Sequence, residues 1–279
     1  MRRRTLLLSL AAAAVTAVLS GLMLAGRHYS PPPAGPNTVA TAPTAGLLAG
    51  VVVVLDPGHG GADPGTTAGP LSEAALSYRT AAELAASLKA QGAQVVFTVR
   101  SRCLNPVLAV SEPPLERPSD AVMAATGTPL GLRHSPRPLW QRAEAARDVW
   151  TARQVDPHAA RDVFFLSLHF DQFPAETVQG GIVCVDRRCN PVPALARALA
   201  GQMAQDNLSR PEDFHGIRGL AGRRLGVLDP KYNPVPEKVL LEIATLSNPA
   251  NAIEAGDAVW RGELVRRITQ AITETHQHV

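Results

Sequence analysis

Aromatic residues are scarce in this 279-residue chain. Phenylalanine, tyrosine and tryptophan together make up 4% of it, while hydrophobic residues as a whole make up 46%. The sequence therefore predicts a core built mainly from aliphatic side chains, and the chain is long enough to bury the core of one full domain.

Net charge is almost absent from the globular part of the chain. The whole chain has a formal charge of +3, but Arg2, Arg3, Arg4 and Arg27 lie within the first 30 residues, which contain no acidic residue. The remaining residues carry 23 basic and 24 acidic side chains, a net charge of −1. A balanced body of this kind lacks the basic patch that nucleic acid requires, so nucleic-acid binding is not supported.

Two common hydrolase signatures are missing. The chain has no Gly-x-Ser-x-Gly nucleophile elbow and no His-Glu-x-x-His helix. Cys103 has no nearby partner in the sequence that would activate a thiol. Nucleophilic catalysis therefore has little support.

The first 49 residues predict export and a linker. A basic tip precedes residues 5–25, which carry no charge and approach the roughly 20 residues that span a bilayer. No clear small-x-small cleavage site follows, so residues 1–29 remain either a cleaved signal peptide or a retained membrane anchor. Residues 30–49 contain five prolines and predict an extended spacer. We expect the body, residues 50–279, to lie outside the cytoplasm, in the periplasm or cell envelope.

The hydrophobic pattern of residues 50–279 predicts an α/β fold. An unbroken run of four valines and a leucine at 51–55 is typical of a strand covered on both faces, and the helical and strand patterns alternate after it. We predict a single domain with a twisted, mostly parallel central sheet flanked by helices. Predicted strands are 51–55, 94–98, 162–168, 180–185 and 238–243, and predicted helices are 73–91, 139–154, 194–205 and 258–275.

Residues 101–138 interrupt this alternation. The segment has seven prolines in 38 residues and no clear periodicity. It is too long for an ordinary connection, so we interpret it as an insertion that forms a flap, a lid or a disordered loop.

Four side chains with metal or acid–base chemistry lie at or just after the C-terminal ends of predicted strands: His59, Glu73, His169 and Glu242. Taken singly, His59 is equally well explained as a loop histidine bonded to backbone, and Glu73 as a first-turn carboxylate favoured by the helix dipole. Strand ends of a parallel sheet share one edge, however, so the four groups can converge. Two imidazoles and one carboxylate are a ligand set that catalytic zinc sites use, and a second carboxylate beside them can serve as a general base.

Four blocks of sequence carry a resemblance to a known family. They are Asp-Pro-Gly-His-Gly-Gly-Ala-Asp-Pro-Gly at 56–65, Leu-Ser-Glu at 71–73, Ser-Leu-His at 167–169 and Leu-Glu-Ile-Ala-Thr-Leu-Ser-Asn-Pro at 241–249. In this order they resemble the zinc-dependent N-acetylmuramoyl-L-alanine amidases of the amidase-3 family, over about residues 50–275.

The resemblance implies a role for each of the four side chains. His59, Glu73 and His169 would bind Zn²⁺, and Glu242 would be the catalytic carboxylate. The substrate would be peptidoglycan, cleaved at the amide bond between the lactyl group of N-acetylmuramic acid and L-alanine. A protein activator is a further partner that the resemblance leaves open. Asp56 and Asp63 are expected to shape the loop or support a ligand rather than to bind the metal.

The chain departs from the family pattern at several positions. Ala74 stands where a lysine or asparagine is common, Phe170 and Asp171 where a small residue and asparagine are usual, and His215 where an arginine is frequent. These positions concern substrate contacts, and two alternatives therefore stay open. The first is a catalytically weak peptidoglycan-binding or regulatory relative, against which Glu242 argues, and the second is a zinc peptidase of the stem peptide.

Cys184 and Cys189 flank a four-residue turn after the predicted strand 180–185. An exported protein meets an oxidising compartment, and a hairpin at this turn would bring the two Cα atoms within disulfide range. A disulfide and a turn without one both remain open, and Cys103 would be the odd thiol.

Overall fold

The computed structural model describes residues 46–60, 63–100, 121–123, 129–130, 138–156, 162–205 and 208–278. The chain divides into two units, Met1–Ala42 and Pro43–Val279, and every described residue belongs to the second. The predicted export segment, Cys103 and most of the linker and insertion therefore lie outside the described residues. Within the described ranges, no helix combines the length and apolar character needed to cross a membrane.

Six strands form the central sheet. In chain order they are β1 (Val52–Pro57), β4 (Gln94–Phe97), β8 (Val163–Asp171), β9 (Ile182–Asp186), β12 (Leu220–Arg223) and β13 (Glu237–Thr245). Their spatial order is β12-β9-β13-β8-β1-β4, so the last strand of the chain lies inside the sheet, between β8 and β9.

The sheet is mostly parallel, as predicted. Strand β1 pairs in parallel with β4 and β8, β8 with β13, and β9 with β12. Only the pairing of β9 with β13 is antiparallel. The connection from β8 to β9, residues 172–181, contains no helix. A strand parallel to β8 would need a long crossover, which this short connection does not provide, so β9 runs opposite to β8.

Within the described ranges, five helices flank this sheet: α1 (Glu73–Ala90), α2 (Pro138–Arg153), α3 (Ala194–Ala204), α4 (Pro249–Gly256) and α5 (Ala258–His278). The leucines and isoleucines of α1, α3 and α5 join one large hydrophobic cluster with one face of the strands. Helix α2 contributes Ala146 and Val149 to a smaller cluster on the opposite face, together with Val54, Phe165 and Leu240. The predicted aliphatic core is thus a two-sided one, with a helix layer on each face of the sheet.

Local signals explain where the helices begin and end. Helix α1 begins after Ser72, whose hydroxyl accepts the Ala75 amide at 3.4 Å, and it ends ahead of Gly92, which has a φ of +94°. Helix α4 was not predicted. Its signal is Asn248, whose side chain accepts the amides of Ala250 and Asn251, each at 3.1 Å, ahead of a proline in the first turn.

Short strands complete the described structure. They are β2 (Thr67–Ala68) with β3 (Leu71–Ser72), β10 (Asp213–Phe214) with β11 (Ile217–Arg218), and β5 (Val99–Arg100) with β6 (Ala121–Met123) and β7 (Pro129–Leu130). The last three form an antiparallel sheet. Segment 101–138 therefore contains two strands that the sequence did not predict. The rest of it lies outside the described residues, apart from the start of α2.

Of the two alternatives for Cys184 and Cys189, the structure has the turn without a disulfide, since both cysteines are free. Cys184 packs in the cluster beneath α2, whereas Cys189 packs against the cluster on the opposite face of the sheet. The hairpin considered from the sequence spacing does not bring the two thiols together, because they pack against different clusters.

Candidate metal centre

The loop after β1 depends on the absence of side chains at two glycines. A Cβ atom on Gly58 would lie 2.5–2.6 Å from three ring atoms of His169. A Cβ atom on Gly65 would lie 2.6 Å from Oε2 of Glu73 and 2.8 Å from the ring of His59, and the φ of Gly65 is +64°. These glycines let three polar side chains approach each other closely.

The structure brings His59, Glu73 and His169 together, as the sequence predicts. Oε1 of Glu73 lies 3.1 Å from Nε2 of His59 and 3.0 Å from Nδ1 of His169. One nitrogen or oxygen atom from each of the three side chains lies within 4.8 Å of the others. The two rings are 5.1 Å apart and are steeply inclined to each other. This is an arrangement in which three side chains can share one cation.

Glu73 is held in place by the backbone around it. Its Oε2 accepts the amide of Thr66 and its Oε1 accepts the amide of Phe170, each at 3.0 Å, and the residue is 3% exposed. Burial alone would raise the pKa of Glu73, but hydrogen bonds from His169, His59 and the Thr66 amide lower it well below the ordinary value. The side chain is therefore an anion that is oriented before any ligand arrives.

His59 lies between two carboxylates. Its Nδ1 is 2.9 Å from Oδ2 of Asp63, opposite the nitrogen that faces Glu73. Oδ1 of Asp63 accepts the Gly65 amide at 3.1 Å, which fixes the carboxylate in turn. Burial alone would lower the pKa of His59, but its hydrogen bonds with Glu73 and Asp63 and their charges raise it to about 9. A carboxylate on the second nitrogen is the usual support for a metal-binding histidine.

Glu242 reaches the same pocket from the neighbouring strand. It lies on β13 in register with His169 on β8. Burial raises the pKa of Glu242 to about 7, and the charges of Asp171 and Glu73 act in the same direction while His169 opposes them. Its Oε2 is buried and has no hydrogen-bond partner among the described residues.

The pocket has a volume of about 370 Å³ and is open on one side. Most of its lining side chains are polar, and water can enter from the open side. Its lining residues are His59, Asp63, Gly65, Thr66, Glu73, His169, Phe170, Asp171, Gln172 and Glu242.

Asp171 was noted in the sequence only as a departure from the family pattern. In the structure its Oδ2 lies 2.7 Å from the guanidinium of Arg210, which is 2% exposed. Arg210 also donates to the Gly180 carbonyl at 3.2 Å and lies over the ring of Phe173. The pair fixes one wall of the pocket. Nothing in the sequence around Arg210 pointed to this contact.

Asp56 lies behind the site and does not line the pocket, in line with the predicted loop-shaping role. Its carboxylate is 1% exposed and accepts the hydroxyl of Thr98, the hydroxyl of Ser167 at 2.7 Å and the guanidinium of Arg142 at 2.9 Å. This buried group joins β1 to β8, to the residue after β4 and to α2.

His215 is not among the residues that line the pocket. It lies in the turn between β10 and β11 with a φ of 55°, and its ring contacts Phe214. The structure therefore gives this residue the contacts of a turn histidine.

The fold and the pocket together define the class of protein: a mixed α/β protein with a candidate metal centre at the carboxyl edge of its mostly parallel sheet. Comparison with known families is more specific. The family model described as N-acetylmuramoyl-L-alanine amidase matches residues 53–274, and the chain belongs to this family. It is a peptidoglycan amidase, an enzyme that hydrolyses an amide bond of the cell wall.

Individual relatives are distant. The germination-specific N-acetylmuramoyl-L-alanine amidase of Bacillus subtilis is 23% identical over 228 residues, which cover 81% of this chain and 79% of the relative. Ami1 of Mycobacterium smegmatis has a similar structure, with a TM-score of 0.57, 20% identity and coverage of 83% and 99% of the two chains. CwlD of Clostridioides difficile, solved in complex with the GerS lipoprotein, has a TM-score of 0.55, 17% identity and coverage of 82% and 100%. At these identities the structural matches show the fold.

Proposed function

We propose that this amidase depends on zinc bound by His59, Glu73 and His169, and that Glu242 is its general base and acid. The observation that carries the proposal is the convergence of the three candidate ligands, whose donor atoms lie within 4.8 Å of one another.

The residues present fit a zinc ion. Two imidazoles and one carboxylate are a donor set that catalytic zinc sites use, with a further position left for the reactants. When bound, zinc supplies Lewis acidity, because it polarises a carbonyl oxygen and lowers the pKa of water. The backbone amides on Glu73 and the Asp63 carboxylate on His59 orient two of the three ligands in advance.

Glu242 performs the proton transfers in this proposal. Its carboxylate accepts a proton from the water that attacks the amide carbonyl, and it returns that proton to the nitrogen of L-alanine as the C–N bond breaks. A pKa of about 7 suits both steps at neutral pH. Glu242 lines the pocket, so its carboxyl group is within the space that water and substrate would enter.

We also propose how the chain reaches its substrate. Residues 1–29 export the enzyme, 30–49 act as a linker and 50–279 form the catalytic domain, with 101–138 as an insertion. The enzyme then works in the periplasm or cell envelope, either released or anchored to the cytoplasmic membrane. The GerS complex of the CwlD relative motivates a protein partner as part of this proposal.

Metal analysis and product analysis test the proposal together. We expect one zinc ion per full-length chain and loss of peptidoglycan cleavage with a strong chelator, with recovery on addition of zinc. The new amino group in the digest should belong to L-alanine. A new amine on an internal stem residue would instead show a peptidase, and peptidoglycan binding without any new amine would show a binding protein.

A further inference from the structure

Arg142 on α2 makes three contacts with the segment that ends in His59. Its guanidinium lies 2.9 Å from Oδ1 of Asp56, 2.5 Å from the carbonyl oxygen of Pro57 and 2.6 Å from the carbonyl oxygen of His59. The residue is 8% exposed, so these bonds are largely shielded from water. Hydrogen bonds from a charged donor are among the stronger ones in proteins.

These contacts surround the backbone of His59, which has an unfavourable conformation. His59 has a φ of 56°, in the left-handed region that residues other than glycine adopt rarely. The carbonyl groups on either side of the 58–59 segment both accept from Arg142. The Gly58 amide donates to Leu168 at 2.8 Å, which fixes the same segment from the neighbouring strand.

We propose that Arg142 is a positioning residue of the metal centre. By binding the carbonyls of Pro57 and His59, it holds His59 in the left-handed conformation in which Nε2 faces Glu73 and Nδ1 faces Asp63. The inference rests on the proposed role of His59 as a ligand. Arg142 acts through the backbone and is not a lining residue of the pocket.

The geometry requires a guanidinium rather than any positive charge. Two of its nitrogens serve three oxygens that come from one side chain and two backbone carbonyls. Lysine offers one compact ammonium at a similar reach and cannot reproduce this planar fork. Arg142→Lys therefore keeps the charge beside Asp56 but should loosen the carbonyl of His59.

Arg153 at the other end of α2 provides a matched control. It donates to the Gly50 carbonyl and to Gln94, each at 3.2 Å, so it also ties α2 to the neighbourhood of β1. It does so at the end of the strand remote from the pocket. Arg153→Lys is the same substitution on the same helix with no contact to the His59 segment.

The test compares metal binding with stability in the full-length chain. Zinc dissociation constants are measured by competition with a chromophoric chelator, visible spectra are recorded with Co²⁺ in place of zinc, and melting temperatures are taken in excess chelator. For Arg142→Lys we expect the zinc dissociation constant to rise about 10–100-fold, the usual effect of losing a group that orients a ligand, and the Co²⁺ spectrum to change. Arg153→Lys should match the wild type in both.

A purely structural role predicts a different pattern. It would lower the melting temperature of Arg142→Lys while leaving the zinc dissociation constant within twofold of wild type and the Co²⁺ spectrum unaltered, and that result overturns the inference. If Arg142→Lys does not fold, Arg142→Gln is measured in the same way. A separate measurement shows whether the proposed metal site is itself wrong. In that case Glu73→Ala would bind zinc as tightly as the wild type.

Discussion

Replacing Glu242 by glutamine separates the use of the metal from its binding. Glutamine preserves the shape of the side chain but cannot accept the proton from water. A general base contributes about 10²–10⁴-fold to the rate, so turnover should fall by that factor, equivalent to about 2.7–5.4 kcal/mol in the activation barrier. Zinc content should remain at the wild-type level because Glu242 is not one of the three converging donors.

The structure also predicts the effect of this change on stability. A carboxyl group with a pKa near 7 in the folded protein and 4.5 in the unfolded chain binds more protons when folded. Its ionisation therefore disfavours folding, by about 3 kcal/mol once the pH exceeds both values. In the metal-free enzyme at pH 8, Glu242→Gln should melt no lower than the wild type.

The assay is amide cleavage of purified peptidoglycan, with zinc per chain and melting temperature measured on the same preparations. Glu73→Gln is the matched control, since it makes the same chemical change on a candidate ligand that accepts four donors. That variant should lose zinc and activity together. Near-normal turnover in Glu242→Gln, or loss of its zinc, would show that the general base has been assigned to the wrong carboxylate.

Two further predictions concern packing and thiols. Gly58→Ala places a methyl group 2.5–2.6 Å from the ring of His169. This variant should lower stability by about 1–3 kcal/mol, measured by thermal melting, and weaken zinc binding, measured by chelator competition. An unchanged zinc affinity would contradict the role given to this glycine. The second prediction is that alkylation labels both Cys184 and Cys189 when the chain is unfolded without reductant and mapped by peptides. A cross-linked peptide pair would refute their placement in different hydrophobic clusters.

The sequence predicted those parts of the fold that depend on local pattern. The valine run of β1 and the cap and stop residues of α1 have physical signals within a few residues, and these elements lie where expected. The convergence of the pocket followed from one general property, the shared edge of parallel strands. Strand β8 runs on through His169 to Asp171, three residues further than the hydrophobic pattern indicated.

What the sequence missed depends on contacts between distant residues. Arg142 and His59 are 83 positions apart, and Arg210 and Asp171 are 39 apart. An arginine in an amphipathic segment gives no sign that it will be buried, because the same residue is commonly found in solvent. The sequence left the disulfide undecided for a related reason, since spacing along the chain does not reveal which hydrophobic cluster each thiol packs against.

The position of β13 has a consequence for the order in which the enzyme can be assembled. This strand is the last in the chain, yet it lies between β8 and β9 and carries Glu242. Until it is synthesised, β8 and β9 each lack a neighbour, and unpaired strand edges are prone to wrong association. The strand that completes the sheet is also the one that brings the candidate base to the pocket. A nascent or truncated chain that lacks β13 therefore has no complete site. The enzyme can cleave the cell wall only after β13 has been inserted into the sheet.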